Sequence, residues 1–267
     1  MAGAGLLMLL AAASYLVFIH THEGREWDAW GLAARLRQQE IGQLLADRFV
    51  AYLGMLAVLL ALLVAVACAR RIRDALAMVA LVVAPVGIAQ VAKDVLGRPD
   101  PVPAELAASW PSGHVAVASV AAVVALAYAG NSTWARRNAV FLVGGMTTLT
   151  LILGWHRISD AIGALCIVGA VALLTVVPRD GRRVRLAGTS LAVLAAGTAA
   201  TMAVLLGAAA VLFTNDGAWH LPHAAQVVAL VPLSFLMAFV LVRLTLVLSG
   251  RGAWVPTRGV RPVGSRG

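Results

Sequence analysis

His114, His156 and Asp160 are the residues whose types and spacing could do chemistry. His114 closes the run Trp110-Pro111-Ser112-Gly113-His114, directly ahead of an apolar stretch. Ser112 is a good helix N-cap, and Gly113 allows close backbone approach. The free N–H groups of such a helix start form an anion site, with His114 in the first turn beside it. A capped helix carrying a surface histidine has the same tetrapeptide. His156 and Asp160 lie four apart in Gly154-Trp155-His156-Arg157-Ile158-Ser159-Asp160. On a helix that spacing places both on one face. The carboxylate can hold one ring nitrogen as N–H and leave the other lone pair free, which prepares a nucleophilic or basic imidazole. A capping pair at a helix start shows the same spacing. Lys93, the one lysine among 21 basic residues, lies near the end of an apolar run. An ionisable group there either snorkels to the interface or serves a site.

The elements that must position these residues are apolar. Of the 267 residues, 61% are hydrophobic and 12% are charged, about half the charge of a soluble domain. That excludes a disordered chain, a disulfide scaffold and an ordinary cytosolic enzyme. Eight apolar segments recur, at roughly 3–20, 49–69, 75–95, 114–130, 138–155, 160–178, 186–214 and 224–248. Each is long enough, or nearly so, to cross about 30 Å of hydrocarbon as a helix. The expected fold is all-α, a polytopic transmembrane bundle of about eight spans.

The net charge of +9 does not describe a nucleic-acid footprint, because no basic face with interleaved aromatics is present. The arginines cluster in alternate connections instead: Arg70, Arg71 and Arg73; Arg136 and Arg137; Arg179 to Arg185; Arg251 to Arg266. Most of the acids lie in the other connections. By the positive-inside rule the arginine-rich set is cytoplasmic, with both termini inside. The histidines then all fall at the outer face. The 21–48 connection, with Trp27, Trp30, Leu32 and Leu36 among charges, reads as an interfacial amphipathic helix that covers the membrane surface or acts as a lid. Cys68 and Cys166 sit inside apolar runs and read as packing residues.

This topology brings three outer clusters to one membrane depth: Lys93 to Pro101, Trp110 to His114, and Gly154 to Asp160. Their order and residue types resemble the type 2 phosphatidic acid phosphatase (PAP2) superfamily of membrane lipid phosphatases. The Pro-Ser-Gly-His match is complete, and the resemblance covers residues 49–178. Two of the three motifs depart from the family pattern. Asp100 stands where the first motif has arginine, and Leu149 and Thr150 stand where the third motif begins Ser-Arg.

The resemblance implies a six-helix core and a metal-independent reaction with no cofactor. His156 would attack phosphorus, Asp160 would orient it, and His114 would act as general acid. Lys93, Ser112 and Gly113 would bind the phosphoryl oxygens, with Arg98 and Arg157 as replacements for the missing arginines. The implied substrate is a phosphorylated lipid, such as a polyprenyl pyrophosphate or phosphatidate, at the outer leaflet of the cell membrane. Transfer of the phosphoryl group to another acceptor, or lipid-phosphate binding or transport on a non-catalytic scaffold, are the alternatives. The expected organisation is a first span and outer amphipathic segment (1–48), the PAP2-like core (49–178), two further spans (179–250) and a disordered tail (251–267).

Overall fold

A computed structural model of the chain describes residues 2–33, 72–96, 110–129, 133–152, 155–175, 229–240 and 242. Among these, every regular element is an α-helix. They are α1 (Ala2–His20), α2 (His22–Ala33), α3 (Ile72–Val95), α4 (Gly113–Ala129), α5 (Thr133–Ile152), α6 (Ile158–Thr175) and α7 (Ala229–Val240). The spans expected at 49–69 and 186–214, the 179–185 connection and the tail lie outside the described residues, as do Arg98 and Asp100.

Three described helices are long and apolar enough to cross a membrane: Ala2–His20, Ala75–Val95 and Ile158–Thr175. α4 and α7 are shorter apolar helices. The fifth expected span differs in register. It was expected over 138–155, but α5 runs from Thr133 to Ile152 and carries Arg136 and Arg137 in its first turns. Charge had marked these residues as a connection, yet arginine has good helix propensity and its long side chain reaches away from an apolar stripe. Arg136 donates to the Thr133 hydroxyl at 3.3 Å. At the other end, the N–H groups of Trp155 and His156 fold back onto the Thr150 carbonyl, at 3.1 and 3.3 Å, and so close the helix before His156.

α6 is the central helix. It is buried from Ile158 to Leu173 on almost every face, as a helix apolar all round must be. Its Gly and Ala positions let neighbours approach closely. α1 lies along it, with Ala4 and Leu7 against Ala170 and Leu173, and Ala11 and Ile19 grouped with Cys166 and Ile167. The far side of α1 exposes Leu6, Leu9 and Leu16, the surface expected to meet lipid. α3 and α4 pack on α6 and on each other, and α5 pairs with α4. α3 continues through Pro85, which a membrane helix tolerates. α7 joins through Leu230, grouped with Leu151 and Ile158. Its Phe235 ring sits so near Gly144 that a Cβ there would fall 2.8 Å from it.

α2 follows α1 after a sharp turn. The Thr21 hydroxyl accepts the Gly24 N–H at 3.1 Å and donates to the Val17 carbonyl at 2.6 Å. Gly24 lies so close to that carbonyl that any Cβ would overlap it. This corner directs α2 onto both α5 and α6, at the end of the bundle where His156 sits.

Candidate active site

Ser112 caps α4. Its hydroxyl accepts the Val115 N–H at 3.3 Å, and its carbonyl accepts the Ala116 N–H at 3.0 Å. Gly113 and His114 are therefore the first two helical residues, whose N–H groups have no partner within the helix. Ser112 is fully buried, and its N–H donates to the Asp160 carbonyl at 2.9 Å. That bond ties the Pro-Ser-Gly-His turn to the head of α6. Trp110, at the start of the same turn, lies tight against Gly163 of α6 and packs on Tyr15 of α1, with ring centroids 5.0 Å apart.

At the head of α6, Arg157 is the N-cap and its carbonyl accepts the Asp160 N–H at 3.1 Å. Asp160 folds its carboxylate back over the helix end, so that Oδ2 accepts the Arg157 N–H at 2.8 Å. This is one half of a capping box. The same Oδ2 lies 3.4 Å from His156 Nδ1. The pair is buried, and at this distance His156 Nδ1 makes no hydrogen bond to the carboxylate or to any other described residue. His156 itself precedes the helix, so the two residues do not share a helical face as their spacing suggested. They meet because the carboxylate turns back across the N-terminus. Such contacts are often long without a ligand and tighten when one binds.

The other nitrogen of His156 faces His114. The distance from His114 Nδ1 to His156 Nε2 is 3.3 Å, and the ring centroids are 5.6 Å apart at 59°. Trp155 stacks beside His114 at 5.5 Å. In the tautomer with its proton on Nδ1, toward the Asp160 carboxylate, His156 presents a lone pair on Nε2. His114 then donates from Nδ1. Which ring donates across the 3.3 Å contact depends on the tautomers of the two imidazoles.

Lys93 reaches the same place from α3. A Cβ added to Gly113 would lie 3.8 Å from its Nζ. The ammonium interacts electrostatically with Asp160 and Asp94, and with His114. Lys93, Ser112, Gly113, His114, His156, Arg157 and Asp160 thus gather where the ends of α3, α4, α5 and α6 meet. Arg157 is buried next to His156. Thr150 is fully buried in α5, with its hydroxyl donated to the Thr147 carbonyl at 3.0 Å.

One residue at this site was not singled out from the sequence. Asp28 of α2 is completely buried and binds Ser159 at the head of α6, accepting its N–H at 3.0 Å and its hydroxyl at 2.5 Å. In sequence it was one acid among many in the 21–48 connection, and no local signal separated it from the others. Among the described residues, no group of three His, Cys, Asp or Glu side chains is placed to hold a metal ion.

Comparison with protein-family models, with curated proteins and with solved structures finds no match for this chain. Chemically, the cluster offers an imidazole with one nitrogen oriented and the other available, a second imidazole aligned to exchange a proton, and an ammonium beside a helix N-terminus. That combination suits an anionic group undergoing substitution.

Proposed function

We propose that this chain is an integral-membrane phosphatase that hydrolyses the phosphomonoester or pyrophosphate of a lipid through a phosphohistidine. The observation that carries the reading is the 3.3 Å approach of His114 Nδ1 to His156 Nε2, with Asp160 on the opposite nitrogen of His156. Binding of an anion needs a cation and N–H groups. It does not need two imidazoles facing each other and a carboxylate behind one of them.

The lone pair on His156 Nε2 forms the N–P bond while the P–O bond to the lipid breaks. The anionic phosphoryl group favours the imidazolium form of His114, which gives its proton to the departing oxygen. Lys93, the Ser112 hydroxyl and the N–H groups at the start of α4 stabilise the charge that builds on the equatorial oxygens. Water then attacks phosphorus, His114 takes its proton, the N–P bond breaks, and phosphate leaves.

At 3.3 Å the rings stand too close for this chemistry without movement. A near-attack nitrogen sits about 3–3.5 Å from phosphorus, and the leaving oxygen and its proton donor lie beyond that. The observed gap of 3.3 Å is filled by the direct contact. Substrate must therefore part the imidazoles and replace their hydrogen bond.

The wider reading is an eight-span cell-membrane protein with a PAP2-like core, both termini cytoplasmic and the site facing outward. The arginine distribution supports this orientation. The deciding experiment measures phosphate release from detergent-solubilised lipid phosphates with a chelator present. Wild-type protein releases phosphate and His156→Ala does not. Unchanged turnover in the variant overturns the assignment, and a protein that binds lipid phosphates without turnover is a binding protein.

A further inference from the structure

Asp28 takes no part in the chemistry above, yet it is fully buried and grips the helix that carries Asp160. Ser159 is the second residue of α6, so its N–H is one that the helix cannot satisfy internally. A carboxylate is the best partner for it, since it completes the hydrogen bond and complements the positive end of the helix dipole. Burying that carboxylate is tolerable only with such partners, and Ser159 supplies two donors. The turn from Arg157 to Ala161 is therefore held by two acids. Asp160 acts locally on the Arg157 N–H, and Asp28 acts from 131 positions away. The Thr21 cap and the tight Gly24 corner fix where α2 presents Asp28.

We propose that Asp28 is a positioning residue: through Ser159 it fixes the first turn of α6, and with it the Asp160 carboxylate and the His156 imidazole. The effect on turnover rests on the phosphatase reading. The effect on geometry does not. Every polar tie of this turn matters to the site, because Asp160 touches His156 through its side chain and holds Ser112 through its carbonyl. A small tilt of the turn moves both halves of the site at once.

The test compares full-length wild type, Asp28→Ala, Asp28→Asn and Ser159→Ala in detergent. Three readouts are taken: amide hydrogen exchange, the rate of His156 modification by diethyl pyrocarbonate, and kcat with KM on a lipid phosphate. In Asp28→Ala, exchange across 157–161 rises about tenfold or more, as expected for loss of a charge-assisted hydrogen bond, while residues 115–126 stay as in wild type. His156 modification changes rate, and kcat falls on the order of 10²-fold with KM nearly constant. Asp28→Asn, which keeps one acceptor, falls between. Ser159→Ala, which keeps the backbone N–H, is milder still.

Wild-type exchange and wild-type His156 reactivity in Asp28→Ala overturn the proposal. So does raised exchange with unaltered kcat, which marks a structural role alone. If Asp28→Ala does not fold, the graded Asn and Ser159→Ala variants decide by the same criteria. If wild type releases no phosphate from any lipid phosphate, the phosphatase reading fails. Exchange and His156 modification then decide the role of Asp28 by themselves.

Discussion

His114 Nδ1 and His156 Nε2 lie 3.3 Å apart although 42 positions separate the residues. One ring must donate and the other accept, and the tautomers of the two imidazoles decide which. The Asp160 carboxylate lies on the far side of His156, 3.4 Å from Nδ1.

Removal of the acid should be felt most by poor leaving groups. His114→Ala is expected to lower kcat on a lipid phosphomonoester by about 10²–10⁴-fold. On an aryl phosphate, whose phenolate leaves without a proton, the loss is smaller. Steady-state kinetics on the two substrate types check this; equal losses argue against a general acid at this position.

Asp160 has two duties, one to the helix and one to the imidazole. Asp160→Ala removes the acceptor of the Arg157 N–H and is expected to cost about 1 kcal/mol of stability, as loss of a cap does. It also releases His156, and kcat falls by 10²-fold or more, on the order seen when an orienting carboxylate is lost. Thermal denaturation and kinetics on one preparation separate the two effects.

Lys93 supplies charge without a hydrogen-bonding fork. Lys93→Met is expected to weaken phosphate inhibition and reduce kcat/KM by about tenfold to 10²-fold, the value of one or two charge-assisted hydrogen bonds. Lys93→Arg keeps the charge and recovers part of both. Inhibition by inorganic phosphate is the direct measurement.

The close seat of Trp110 on Gly163 makes that glycine intolerant. A Cβ at 163 would lie 2.5 Å from the indole nitrogen, so Gly163→Ala should overpack the contact and cost about 1–3 kcal/mol. It should also lower activity, because Trp110 begins the turn that carries His114. Gly87→Ala is the control, since a Cβ there meets nothing within 4 Å. Melting temperatures of both variants, with activity at a permissive temperature, test the contrast.

Orientation is open to labelling. Asp94 lies at the site end of α3 and Thr133 at the opposite end of α5, and both are exposed. With Cys68 and Cys166 replaced, a cysteine at 94 is expected to react with an impermeant maleimide in intact cells. A cysteine at 133 should react only after permeabilisation. The reverse pattern inverts the topology.

Much of the helical framework was legible because apolar runs of span length allow little else. The runs at 3–20, 75–95, 114–130 and 160–178 correspond to α1, α3, α4 and α6 within a few residues. α5 differs from the 138–155 apolar run at both ends: it starts at Thr133, taking in Arg136 and Arg137, and ends at Ile152, because helix boundaries follow hydrogen bonds rather than hydropathy. The Ser112 cap was legible because capping is a matter of adjacent residues.

The sequence alone determined what is local: membrane-length helices, a capped helix start at Ser112, and an aspartate four residues after a histidine. Only the tertiary structure decided that His114 meets His156, that Trp110 seats on Gly163, and that Asp28 holds Ser159. The physical reason is range. Caps and helices are governed by neighbours within one turn, whereas these three contacts depend on how α2, α4 and α6 pack. That packing is set by small residues and a tight corner at Gly24, whose consequences appear far along the chain.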